Sequence, residues 1–192
     1  MTQENKEFKV AVICSFSDDE PLEEILDAAA ALPNVLFYIT GDKSRADKRI
    51  LNTKQENIRF TGFLDQGKYV STLKDVDAIV VLTKRDRTML AGAYEALALQ
   101  KPLITSNWGA LKRYFCRGTI HVDNSARQIE AAVRIVQKKK GQLEKELHQL
   151  KLEKTEEWEK KFGAFKKLLI QDYIKHSNEN KTSILDIITA GQ

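Results

Sequence analysis

Cysteine is scarce in this chain. The 192 residues hold two, Cys14 and Cys116, far apart and with neither a CxxC spacing nor a nearby histidine. That excludes a disulfide-stapled scaffold and a zinc ribbon, and it fits two small, reduced, buried residues at element edges. No apolar run approaches 18 residues, so no segment reads as a membrane-spanning helix. The first residues, MTQENKE, lack the apolar stretch of a secretory signal, and the expectation is a cytoplasmic protein. Walker, GxGxxG and Gly-x-Ser-x-Gly elements are missing as well, which argues against P-loop, classical dinucleotide-binding and hydrolase chemistry. The three histidines have no ligand-spaced partners: His121 falls inside an expected strand, and His148 and His176 fall in the helical tail.

What is present is an ordinary globular composition, 42% hydrophobic and 30% charged, with a net charge of +4. The charge is uneven. Residues 134–176 carry 12 Lys and Arg against 7 Asp and Glu, which leaves 19 against 20 for the rest. The basic excess therefore belongs to the tail, and nucleic-acid binding by the domain is not supported.

From Phe8 to about Val136 short apolar runs alternate with helical patterns. FKVAVICSF, NVLFYITG, NIRFTG, AIVVLT, PLITS and TIHVDN are β-branched and apolar on both parities, as parallel strands covered on both faces require. Between them lie PLEEILDAAAAL, SRADKRIL, KYVSTLKDV, TMLAGAYEALALQ, WGALKRYF and SARQIEAAVRIVQ. Asp19–Pro21 reads as the opening of the first helix, Asn107 as the cap of the fifth and Ser125 as the cap of the last. Six such units predict a Rossmann-like, doubly wound, mostly parallel six-stranded sheet over residues 7–137. An amphipathic helical tail follows over 138–176, interrupted near Lys154, and then a flexible C-terminus over 177–192. In the tail, Leu143, Leu147 and Leu150, and then Trp158, Phe162, Phe165 and Leu169, recur at helical spacing. The plain expectation is that this stripe packs on its own chain. Docking on a missing domain, or peripheral contact with an anionic membrane, are the alternatives.

In a doubly wound sheet ligands bind beyond the carboxyl ends of the strands, where helix N-termini present free N–H groups. That rim holds Ser15 and Ser17, Gly41 and Asp42, Gly62 and Phe63, and the loop Thr83–Thr88 with Lys84, Arg85 and Arg87. It is polar and locally cationic, suited to a phosphate. Thr88, Gly92 and Glu95 fall at i, i+4 and i+7, so on a helix they share one stripe. Thr88 and nearby amides would hold a phosphate, Gly92 would admit a ligand closely, and Glu95 would accept from the paired hydroxyls of a ribose. Equally, Glu95 pairs with a cation at a sheet edge.

The block YEALALQKPLITSNWGALKRYF (94–115) resembles the donor-binding signature of GT-B fold retaining glycosyltransferases of the group 1 type. ITGDK (39–43) and NIRFTGFLDQGKYVSTLKDVDAIVVLT (57–83) extend the likeness over about Lys9–Val136, which corresponds to the C-terminal, donor-binding half of such an enzyme. The resemblance implies that Glu95 holds ribose hydroxyls, and that the Gly62–Phe63 turn meets the base. It implies that Thr88 and the amides of Met89 and Leu90 face the diphosphate or sugar, with Arg85, Arg87 and Ser15 near it. It also implies a nucleotide-diphosphate sugar as donor, a glycan or lipid-linked acceptor, and no cofactor or metal, because cationic side chains and helix dipoles neutralise the leaving diphosphate. An N-terminal acceptor domain or partner subunit, which this sequence lacks, would complete the cleft.

Two departures stand out. Arg87 occupies the position eight before Glu95 where the family carries a second glutamate. CSFSDDEP (14–21) offers serines and acids where the family carries Arg and Lys. They leave room for a non-catalytic nucleotide-binding or assembly module that kept the fold. A receiver-like signalling domain, with Asp18–Asp19–Glu20 as its acids, fits the strand order poorly.

Overall fold

The computed structural model describes residues 7–189. Six strands are present: β1 (Phe8–Ile13), β2 (Val35–Thr40), β3 (Ile58–Gly62), β4 (Ala78–Val81), β5 (Leu103–Ser106) and β6 (Thr119–Val122). All pair in parallel, in the order β3-β2-β1-β4-β5-β6. The expected Rossmann-like α/β sheet is therefore what forms, with its topological switch point between β1 and β4.

The helices are α1 (Leu22–Ala30), α2 (Lys48–Leu51), α3 (Gln66–Asp75), α4 (Ala91–Leu99), α5 (Gly109–Tyr114) and α6 (Ala126–Thr189), with a 3-10 turn at Lys43–Arg45. They cover both faces. Val10, Val12, Phe37, Ile39, Val80 and Ile104 bury one parity with α1 and the start of α6. Ala11, Ile79, Val81 and Leu103 bury the other, with Leu73, Ala93, Ala96 and Leu111 from α3, α4 and α5. Apolar residues on both parities leave a strand no solvent face, which is why β4 is buried throughout.

Asp65 caps α3 by accepting from the Lys68 amide at 2.9 Å, and Asp47 caps α2 by accepting from Arg49 at 2.8 Å. Two boundaries depart from expectation. Asn107 does not cap α5: the capping position is Trp108, whose indole points elsewhere. The fourth helix begins at Ala91 rather than at Thr88, because Arg87 takes a left-handed φ of 59° and Leu90 is extended.

α6 departs more. It is helical without a break near Lys154, and it continues through 178–183. No proline follows Pro102, and Glu–Lys pairs span the expected interruption: Lys154–Glu157, Lys160–Glu156 and Lys161–Glu157 at 2.9, 2.7 and 2.5 Å. The chain divides into a unit that ends at Lys151 and a second from Leu152. The charged surface of α6 begins near 138, yet packing in the first unit reaches further, for Leu143, Leu147 and Leu150 are all buried.

Two features seat α6 in that first unit. Gly118 has φ +64°, and a Cβ there would lie 2.3 Å from Leu147 Cγ and 2.5 Å from the Leu143 carbonyl. Only glycine fits so close an approach. Asp77, 7% exposed, accepts from the Lys9 amide at 2.9 Å and from Lys140 Nζ at 2.5 Å. Burial opposes the charge on Lys140, but its hydrogen bond to Asp77 and the charges of Asp77 and Glu144 outweigh that and raise its pKa. In the second unit Trp158, Phe162 and Phe165 are 64, 50 and 54% exposed, so the expectation that the aromatic stripe is packed away fails for these residues.

Candidate functional site

The candidate site lies along the carboxyl ends of β1 to β5, and two neighbourhoods make it up. The first is a pocket of about 380 Å³ lined by Ile13, Cys14, Thr40, Gly41, Gly62, Phe63, Leu64, Gln66 and Tyr69. Gly62 ends β3 with φ +72°, a conformation that turns the chain sharply and leaves Phe63 85% exposed at the mouth. Cys14 contributes a thiol that donates to the Thr40 carbonyl at 3.0 Å. Burial, with the Glu20 charge added, pushes its pKa up to about 12, so it stays protonated.

Tyr69 connects this pocket to α4. Its hydroxyl donates to Glu95 Oε2 at 2.5 Å. Burial first, and then this bond and the Glu95 charge, push the phenol pKa upward, so Tyr69 is a permanent donor near neutral pH. Glu95 is half-buried on a mostly apolar helix. Its partner is a phenol, not the Lys or Arg that a sheet-edge ion pair would supply.

The second neighbourhood is the switch point, where the β1–α1 and β4–α4 loops face each other. In the first loop the amides of Ser15 and Ser17 both donate to the Glu20 carboxylate, at 2.8 to 3.0 Å, and Ser15 Oγ donates at 3.1 Å. A set of converging amides of this kind is an anion receptor, and the chain fills it with its own carboxylate. Asp19 reaches across to the second loop. It accepts from Thr83 Oγ1 at 2.7 Å, its carbonyl accepts from the Lys84 amide at 2.6 Å, and its carboxylate lies 3.6 Å from the Arg85 guanidinium.

Beneath that loop is a buried polar network. The Thr83 amide donates to Ser106 Oγ at 2.9 Å, and Ser106 Oγ donates to Asn124 Oδ1 at 2.7 Å. The Thr83 carbonyl accepts from Trp108 Nε1 at 2.8 Å and from Asn124 Nδ2 at 3.0 Å. Thr83 and Ser106 are fully buried, so each bond counts for more than it would in water.

The sequence-predicted residues are distributed as follows. Gly62 and Phe63 share the pocket with Tyr69, and Glu95 joins them through that phenol. Ser15 and Arg85 meet at the switch point through Glu20 and Asp19. Arg87 is exposed at the loop tip, where its amide donates to Asp86 Oδ1 at 2.7 Å. Thr88 is not on the stripe of Glu95: it lies in the loop, its hydroxyl 3.4 Å from the Asp86 carbonyl. Met89 is exposed and Leu90 half-buried just before the uncapped N-terminus of α4. Gly92 is buried against the sheet. A Cβ there would stand 2.9 Å from Ile13 and 3.0 Å from Val81, so its smallness serves the approach of helix to sheet.

Sequence reasoning missed Tyr69 as a site residue, and it read Asp19 and Glu20 as the opening of the first helix and as receiver-type acids, not as partners of the two loops. The signal for Glu20 was there in part, since an acid three residues after Ser17 matches a capping spacing. Among the described residues no group of three or more His, Cys, Asp or Glu is placed to hold a metal ion, and no helix is long and apolar enough to cross a membrane. His121 is half-buried on β6, and burial lowers its pKa, which keeps the imidazole neutral.

The family model described as Glycosyl transferases group 1 matches residues 2–156. No curated protein matches the sequence. Among solved structures the chain is similar to HepE of Anabaena, crystallised with UDP and glucose, with a TM-score of 0.66, 14% identity, and coverage of 76% of this chain and 43% of that one. It is similar to a glycosyltransferase of Rickettsia africae, with a TM-score of 0.61, 16% identity, and coverage of 82% and 48%. A UDP-forming α,α-trehalose-phosphate synthase of Burkholderia vietnamiensis gives a TM-score of 0.59, 16% identity, and coverage of 82% and 44%. At these identities the likeness is one of fold, and the chain spans less than half the length of each of these proteins. The family model covers most of the chain, over the same sheet and crevice, and the chain is a member of the glycosyl transferases group 1 family.

Proposed function

We propose that this chain is the C-terminal, donor-binding half of a retaining GT-B glycosyltransferase. It takes a nucleotide-diphosphate sugar and contributes to glycosyl transfer onto a glycan or lipid-linked acceptor. The observation that carries this reading is the junction of Glu95 with the Gly62–Phe63 pocket through Tyr69. A carboxylate with two acceptor oxygens beside a pocket of about 380 Å³ suits a ribose next to a base. In this reading Gly62 and Phe63 meet the base and Glu95 the ribose. Thr88, the amides of Met89 and Leu90, Arg85, Arg87 and Ser15 face the diphosphate, with Gly92 letting α4 sit close. Fixed cations and helix N–H groups stabilise the leaving diphosphate, with no metal or other cofactor.

The same reading gives the rest of the assembly. The donor domain proper is 7–137, the helical tail 138–176 and the C-terminal segment 177–192. An N-terminal acceptor domain or partner subunit closes the cleft. The setting is polysaccharide biosynthesis in the cytoplasm.

A second reading is favoured by specific contacts. Glu95 already has a partner, the Ser15 and Ser17 amides already hold Glu20, and Arg85 already faces Asp19. A rim satisfied by its own side chains is what a non-catalytic nucleotide-binding or assembly module would have.

Isothermal titration with UDP, GDP and ADP in metal-free buffer separates a nucleotide-binding donor half from an assembly module. UDP comes first, because HepE was crystallised with it. Selective binding of one diphosphate that is lost in Glu95→Ala is expected of the donor half. Binding that survives Glu95→Ala removes Glu95 from the site. No binding to any of the three favours the assembly module.

A further inference from the structure

Within residues 152–172 of α6, Trp158, Phe162, Phe165 and Leu169 are 64, 50, 54 and 54% exposed. Their 4-3-4 spacing places them in one narrow stripe, the seam pattern of a two-helix coiled coil. Trp158 and Phe162 stack along it, with ring centroids 5.8 Å apart and planes 14° from parallel. Four large apolar side chains in contiguous exposure mark a docking surface.

Charge decides what docks there. Residues 153–159 carry Glu153, Glu156, Glu157 and Glu159 against Lys154 alone, while 160–167 carry Lys160, Lys161, Lys166 and Lys167 and no acid. An anionic membrane would meet the acidic block as well as the basic one. A second helix of the same sequence running the other way can instead set a single acid against a single base on the flank of the seam.

The side-chain register makes this specific. Set antiparallel, Phe162 lies opposite the second copy's Phe165, and Trp158 opposite its Leu169. Glu159 and Lys166, one heptad apart on the same flank of the seam, then face Lys166 and Glu159 of the second copy. A parallel pair instead brings Lys161 against the second copy's Lys166 on both sides, like charge on like. The pairs Lys160–Glu156 and Lys161–Glu157 lie within one helix, and among the described residues neither Glu159 nor Lys166 has an ion pair. We propose that the stripe Trp158–Phe162–Phe165–Leu169 is a self-association surface on which a second copy of this chain docks its own stripe antiparallel, with Glu159 and Lys166 fixing direction and register.

The test is sedimentation equilibrium on the whole 192-residue chain and its variants, with circular dichroism to verify retained helix. The wild type is expected to be a dimer and Phe162→Glu a monomer of unchanged helicity. Glu159→Lys and Lys166→Glu each replace two attractions per dimer with two repulsions, and each should weaken association about tenfold. The double reversal restores both attractions and should return the affinity to within about threefold of wild type. A wild-type chain that is monomeric at its solubility limit overturns the proposal. So does Lys166→Glu strengthening the dimer, which is the mark of a parallel pair. Flotation with phosphatidylserine vesicles that Phe162→Glu abolishes, from a monomeric wild type, would assign the stripe to a membrane instead.

Discussion

The Tyr69 hydroxyl donates to Glu95 Oε2 across the gap between α3 and α4, at 2.5 Å. In the proposed donor site, a ribose diol at Glu95 would share the carboxylate with the phenol or displace it. Tyr69→Phe keeps the ring and removes the competitor. It should cost the fold about 1 kcal/mol, the net value of one hydrogen bond, and raise the affinity for the bound nucleoside diphosphate several-fold. Denaturant titration and isothermal titration on the same preparation measure both.

At the switch point the competitor is Glu20. Glu20→Ala leaves the Ser15 and Ser17 amides facing water in a concave loop that favours an anion. Inorganic pyrophosphate is expected to bind this variant more tightly than wild type, and thermal unfolding should show a loss of about 1 kcal/mol.

Asp77 ties α6 to the sheet through Lys140 and holds the start of β1 through the Lys9 amide. Asp77→Ala should cost about 2 kcal/mol, less than a fully buried pair because the Lys140 side chain is 34% exposed. The folded-state pKa of Lys140 is raised above its ordinary value. This contribution is therefore complete below the lysine range and is lost only as the pH climbs through the raised pKa. The deficit of Asp77→Ala should be constant at neutral pH and shrink in strong alkali, which urea titrations across pH would follow.

Gly118→Ala would drive a methyl group into Leu147 and the Leu143 carbonyl, in a left-handed conformation that penalises any side chain. It should lose at least about 3 kcal/mol, the sum of overpacking and backbone strain. Gly163→Ala is the control, since a Cβ there meets nothing within 4 Å. Placed in a helix, it should be neutral or slightly stabilising.

The two thiols should react very differently. Against the expectation that both are buried, Cys116 is exposed, whereas Cys14 is half-buried, bonded to the Thr40 carbonyl and shifted to a pKa of about 12. A disulfide-exchange reagent at pH 8 should titrate one equivalent rapidly and the second only on unfolding.

The sheet was legible in the sequence because parallel strands buried on both faces must be apolar on both parities, and runs such as AIVVLT permit little else. Glu95 was legible because a carboxylate on an apolar helix calls for a partner. Its actual partner was not, since Tyr69 lies 26 residues away and meets it only once α3 and α4 pack. The start of α4 was missed for a local reason: helical spacing fits Thr88, but nothing in the composition shows that Arg87 turns left-handed and delays the helix to Ala91. Glu20 folding back onto its own loop is a contact of a few residues, and it was hidden because the same acid reads equally well as a solvated charge.

The network around Thr83 has a consequence for how the crevice can change shape. Thr83 is fastened on three sides, to Ser106, Trp108 and Asn124, from two further strands' loops. The next four residues are exposed, and Asp19 and Glu24 oppose the cations of Arg85 and Lys84. Amide hydrogen exchange should divide the loop at this point, slow through Thr83 and fast from Asp86 to Met89. Any closure over a bound molecule is then confined to a tip of a few residues swinging on a fixed base, and the floor of the crevice keeps one shape whether it is full or empty.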